Sequence, residues 1–277
     1  LLETVFPEYS LINMGMYAGL GSTAILELTA AYIQAGDVVI FSPEQNKQTL
    51  SMYFNAEAYW QAADGNWALL AALRPKNRGA MVGQFPQFAS QKAQYCFHGN
   101  APAGEGIYTR RSFNAWGDIA SDLRANNIMQ SGYDPNMPIN FDTTLINDDF
   151  ISYLNNFAAV CKMKDVVFYY SFCPMNAAAI TKPERDRVDF YQAVLQNQLD
   201  FPVLGRAEDA IFGSEWFYDT NFHLNSAGAI LNTIRLAKDL KLEWNLDIEI
   251  TIEEPQSPAT ETIATFFGDD TDVDSFT

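Results

Sequence analysis

The sequence predicts an α/β fold of three layers, with helices on both sides of a mainly parallel sheet. Three observations carry that expectation. Short apolar runs rich in β-branched and aromatic residues, "VVIF" (38–41), "DVVFYYSFC" (165–173) and "FPVLG" (201–205), have the length and composition of buried strands. Amphipathic stretches, "TAILELTAAYIQ" (23–34) and "PERDRVDFYQAVLQNQL" (183–199), stand between strand candidates. The connections are short, and strand, helix, strand in that rhythm makes parallel crossovers.

Taken in order, "SLINMGMY" (10–17) reads as the first strand, followed by the Gly-rich turn "AGLGS" (18–22) and a helix that Gly36 ends. Residues 55–160 are less regular, with Trp- and Ala-rich helical pieces and the loop "HGNAPAGEGIYTRRSFNAWGD" (98–118). They read as an insertion over the edge or mouth of the sheet, where α/β proteins bind ligands. "SAGAILNTIRLAKDLKL" (226–242) is a last amphipathic helix, and "EWNLDIEITIEE" (243–254) alternates like a half-exposed strand. From Thr251 to Thr277 there are seven acids and no Lys or Arg, which reads as a linker or frayed tail. The expected division is one α/β domain over 1–242 and a C-terminal strand with acidic tail over 243–277.

Composition narrows the partners. A formal charge of −17 repels phosphate backbones and anionic lipid, so nucleic acid and acidic membranes are poor partners and neutral ones fit better. No apolar run reaches the roughly 18 residues a membrane helix needs. Cys96, Cys161 and Cys173 are too widely and irregularly spaced for a metal signature and allow at most one disulfide. The first residues, "LLETVFPEYS", have neither an initiator Met nor a basic n-region, so the chain reads as starting inside something longer.

Four places could carry chemistry. "GLGSTA" (19–24), with Glu44 further on, is a loose dinucleotide fingerprint, although a Gly-rich turn also starts any α/β crossover. Ser22 could be a nucleophile, but it lacks the flanking glycines of a strand-to-helix elbow and reads better as an N-cap. Asp219 stands four residues before His223, one of two histidines, in "WFYDTNFHLNSAG" (216–228). A carboxylate there can hold an imidazole tautomer and stabilise the imidazolium. The alternative is simple capping by Asn225 or Ser226, with the ring merely packing; His98 reads as structural or carried on a lid. Asp270, Asp272 and Asp274 alternate like the opening of a calcium loop but lack its later ligands.

The blocks "LINMGMYAGLGSTAILE", "GDVVIFSPEQN", "IYTRRSFNAWGD", "VVFYYSFCPMNAAA" and "FYDTNFHLNSAG" occur in an order that resembles the SGNH/GDSL-hydrolase-like proteins of bacteria. The likeness is to a secreted or surface group related to the D-alanyl and alginate O-acyl transfer proteins, and covers roughly residues 1–240. It implies a flavodoxin-like three-layer fold and a triad completed by Asp219 and His223. The spacing here is four where the family has three, so either Asp219 or Thr220 faces the imidazole. The oxyanion-hole Gly becomes Gly19. The family's Asn has no clean counterpart in "SPEQN", where Glu44 takes its place and Asn46 follows. The catalytic Ser falls upstream of Leu1, and residues 1–8 become the end of a helix whose apolar face, Leu1, Leu2, Val5 and Phe6, seeks an open sheet edge.

The resemblance thus implies an esterase or acyltransferase acting on O-acyl groups, with carbohydrate as the expected substrate, at the bacterial surface or outside the cell. It needs neither organic cofactor nor metal. The other expectations are a non-catalytic glycan- or protein-binding module with a decayed triad, and a dinucleotide-binding domain.

Overall fold

The computed structural model describes residues 1–15, 18–64, 67–98, 114, 117–119 and 128–258. Among them the chain is a mixed α/β structure with a small parallel sheet. Its strands are β1 (Val38–Phe41), β2 (Val167–Ser171), β3 (Met175–Asn176), β4 (Val203–Leu204) and β5 (Ile211–Phe212). β1, β2 and β4 lie in the order β1-β2-β4, with Phe41 opposite Tyr170 and Ser171 opposite Leu204, all parallel. β3 and β5 pair separately, also in parallel.

Alternation along the strands sends side chains to two different cores. Val39, Phe41, Phe168, Tyr170 and Val203 join a cluster with Leu26, Phe150, Leu154, Phe157, Tyr191 and Leu195. These come from the helices Ser22–Tyr32, Asp148–Met163 and Val188–Gln198. Val38, Ile40, Tyr169 and Leu204 join Val5, Phe6, Ala237 and Leu240 on the other side. The helix Asp148–Met163 shows why such a segment folds. Asn147 caps it through Phe150 N, Asp148 and Asp149 favour the positive end of its dipole, and Phe150, Ile151, Leu154, Phe157 and Cys161 bury one face. Each large side chain so buried contributes about 1.5–3 kcal/mol.

Helices Ala56–Ala63, Trp67–Ala72 and Arg78–His98 gather around a further cluster containing Tyr59, Leu69 and Met81. The remainder of the loop expected at 98–118 lies almost wholly outside the described residues, as do Asp270, Asp272 and Asp274. No described helix is long and apolar enough to cross a membrane.

Four expectations need correction. Residues 10–15 form no strand: Leu11 and Ile12 are exposed, Leu11 N donates to Glu3 Oε1, and Asn13 Nδ2 donates to Asp118 Oδ1. An apolar run becomes a strand only with a neighbour to share its ladder. The helix expected at 183–199 is broken at Asp186–Arg187 into Lys182–Arg185 and Val188–Gln198. Residues 246–252 keep the expected alternation, with Leu246, Ile248, Ile250 and Ile252 on the core, but lie there without a strand ladder. The N-terminal helix, Leu2–Val5, forms, but Val5 and Phe6 pack in the cluster shared by the sheet face and the helix Ser226–Glu243, while Leu1 stays exposed. A face offers apolar contact on a whole layer, which an edge does not.

Candidate functional site

Parallel strands end on one side of their sheet, and loops leaving those ends collect there. The loop after β1 carries Glu44 in a tight knot. Asn46 N and Thr49 Oγ1 both donate to the Glu44 carbonyl. Asn46 Nδ2 donates to Glu44 Oε2 at 2.8 Å, while Asn46 Oδ1 accepts from Gln48 N and Thr49 N. Asn46 therefore acts on Glu44, fixing its carboxylate.

His223 arrives on a hairpin. Phe217 and Leu224 form an antiparallel bridge, Tyr218 N donates to His223 O, and Asn225 N donates to Trp216 O. Thr220 Oγ1 at the tip accepts from the backbone N–H groups of Phe222 and His223. Asn221 is fully buried and clamps the tip to the chain at 134–137, donating to the carbonyls of Asp134 and Met137 and accepting from Asp134 N. Asn225 then caps the helix Ser226–Glu243 by accepting from Gly228 N.

This geometry resolves the choice between Asp219 and Thr220. Asp219 and His223 lie across the turn, with Nδ1 2.9 Å from Asp219 Oδ1. Thr220 uses its hydroxyl on the backbone instead. The other ring nitrogen, Nε2, faces Glu44 Oε1 at 3.5 Å, and the Tyr218 ring stacks beside the imidazole with centroids 6.1 Å apart. Capping and ion pairing both occur here, on different residues, and the ring remains one-third exposed. Burial is the largest single influence on His223 and favours the neutral ring, but hydrogen bonds and attraction from Asp219 and Glu44 together outweigh it, raising the pKa to about 9. At neutral pH the ring is an imidazolium between two carboxylates, able to give a proton and not to take one.

Gly19 is buried in the one-turn helix Ala18–Leu20. Its turn is tied to the Glu44 loop, since Gln48 Nε2 donates to Ala18 O and Ser22 Oγ donates to Thr49 O at 2.6 Å. Ser22 is thus not an N-cap. Gly21 occupies that position with φ +82°, and a Cβ there would collide with the Tyr53 carbonyl. That collision accounts for the glycine by close approach of the chain to itself. The dinucleotide fingerprint also loses its strand, because residues 10–15 are not one. His98 ends the helix Arg78–His98, exposed, with Nδ1 2.9 Å from Gln94 O.

Cys96 is an exposed free thiol, and Cys161 and Cys173 are buried free thiols. Among the described residues no group of three or more His, Cys, Asp or Glu is arranged to hold a metal ion. Sequence reasoning passed over Asn221 and Tyr218, and the turn-holding role of Thr220, although the density of Asn and Thr in "DTNFHLN" was the available sign of a side-chain-held turn. No family model matches the chain, and neither the curated proteins nor the solved structures contain a significant match to it.

Proposed function

We propose that Asp219 and His223 are the acid–base pair of an SGNH-type esterase or acyltransferase that works on O-acyl groups of carbohydrate, within a three-layer fold of that type, at the bacterial surface or outside the cell. The supporting observation is the 2.9 Å contact from His223 Nδ1 to Asp219, on a hairpin whose ring also meets the loop leaving the C-terminal end of β1. In this mechanism a serine hydroxyl gives its proton to Nε2 and attacks the acyl carbonyl. Backbone N–H groups near Gly19 receive the oxyanion, and the imidazolium returns the proton to the leaving alcohol. Asp219 keeps Nδ1 protonated and the ring oriented throughout. Glu44 withholds the base at neutral pH, so hydrolysis should increase as pH rises through about 9.

The resemblance puts the serine ahead of Leu1, and the assay therefore uses the protein as its gene encodes it. Release of acetate from a chromogenic ester is expected, with His223→Ala abolishing release and leaving the melting temperature nearly unchanged. Equal hydrolysis by parent and variant rules the assignment out.

A second reading has one observation in its favour. Glu44 facing Nε2 would oppose negative charge developing beside it, which suits a non-catalytic glycan- or protein-binding module. Glycan binding by both proteins, with hydrolysis by neither, selects this module.

A further inference from the structure

A groove of about 630 Å³ opens among the helix Ser22–Tyr32, the turn Pro75–Asn77 and the helix Asp148–Met163. Its size lies within the range of small-molecule sites. None of its lining residues belongs to the His223 site.

The chain has 34 acids and 17 bases, yet two cations, Arg74 and Lys76, meet in this groove across Pro75. Arg74 is held rigidly, with Nε 2.9 Å from Glu27 Oε1 and the guanidinium 4.7 Å above the Tyr153 ring. Its Nη1 is shielded from solvent and has no hydrogen-bond acceptor among the described residues. A cationic donor left unmet in a shielded position is costly, and the guanidinium is not fully satisfied by Glu27 and Tyr153. Lys76 is exposed and makes no ion pair with a described residue. Partial burial, then repulsion from Arg74, lowers its pKa.

The groove also holds two carboxylates, Glu27 and Asp149, which balance the two cations in formal charge and attract Lys76 without forming an ion pair with it. Glu27 is committed to Arg74, and Asp149 sits in the first turn of its helix, where the dipole attracts it. The lining also includes the apolar side chains of Met52, Phe157 and Val160, alongside the polar Ser152 and Asn156.

We propose that this groove binds a small organic monocarboxylate, its carboxylate bridging Arg74 and Lys76 and its apolar body lying against Met52, Phe157 and Val160. Charge supplies recognition at one end, and burial of the body supplies affinity at the other.

Calorimetry on the whole protein tests this with hexanoate, hexan-1-ol and inorganic phosphate as probes. Hexanoate should bind saturably and more tightly than either control. Lys76→Gln and Asn156→Asp change exposed groove residues, and each should weaken hexanoate about tenfold without moving the melting temperature. Arg74→Gln is unsuitable alone, since it also strips Glu27 of its partner. Absence of saturation by about 10 mM hexanoate overturns the proposal. So does unchanged affinity in Lys76→Gln, equal affinity for hexan-1-ol, or equal affinity for phosphate.

Discussion

Asp219 with His223 and Arg235 with Asp239 are both spaced by four residues, yet they are opposite kinds of pair. The first closes across a hairpin, is about one-third exposed, and turns the second ring nitrogen toward a third charge, Glu44. The second lies along one turn of the helix Ser226–Glu243 with side chains only 8% and 9% exposed. Every guanidinium nitrogen of Arg235 is engaged. Nε donates to Asn232 Oδ1, Nη1 to Asp239 Oδ2 at 3.0 Å, and Nη2 to the Phe172 carbonyl just past β2. Burial lowers the Arg235 pKa and raises that of Asp239, so each charge persists because the other is present. Spacing alone fixes neither geometry nor role. Water and a third partner decide whether a pair ties the fold together or can change its protonation.

The sharpest way to break this contrast is Arg235→Ala. It strands Asp239 in a buried setting and unties the helix from the end of β2, and should cost about 3–5 kcal/mol in urea unfolding. Arg235→Met combined with Asp239→Leu should recover much of that loss, since neither charge then needs a partner. A single-variant loss below about 1 kcal/mol would mean the pair does not anchor the sheet.

Gly205 tests the same pair from the other side, with a smaller effect. Its φ is +70°, and a Cβ placed on it would run into the Asp239 carboxylate. Gly205→Ala should therefore destabilise by about 1–3 kcal/mol, from backbone strain and displacement of Asp239 together. Adding it to a variant already lacking Asp239 should cost less, because only the strain remains. Equal costs in the two backgrounds would show that the carboxylate is not what excludes the side chain.

The contrast also explains what was legible in the sequence. β1 and β2 were legible because "VVIF" and "VVFYY" are apolar on both faces and need no distant information to be recognised. Residues 10–15 carry a similar apolar pattern and are not a strand, because pairing depends on a neighbour that no local pattern encodes. Asp219 and His223 stood out through the scarcity of histidine, but the hairpin that joins them depends on Asn221 reaching residues 134–137, a long-range contact. Arg235 and Asp239 drew no notice, since charges four apart on a helix ordinarily make a solvated face. The groove at Arg74 was equally hidden, because it needs three elements distant in sequence.

The smallest expected effect concerns His223 itself. Its pKa in the folded chain is about 9, against about 6.5 for an unperturbed histidine. A raised folded pKa means that protonation and folding assist each other. The stabilisation is thus complete below about pH 6.5 and disappears as pH rises through about 9. For a ring one-third exposed the whole effect should stay within about 1 kcal/mol, far below that of Arg235. Ring-proton NMR should show His223 titrating near pH 9, with the signal assigned by comparison with His98→Gln. Glu44→Gln should move the midpoint to lower pH by removing one attracting charge. Asp219→Asn should move it further, since that carboxylate lies at 2.9 Å and Glu44 at 3.5 Å. The stability profile between pH 6.5 and 9 should flatten in the same order. A parent midpoint near 6.5 would show that the two acids do not hold the proton, and His223 would then be available as a base at neutral pH with no help from substitution.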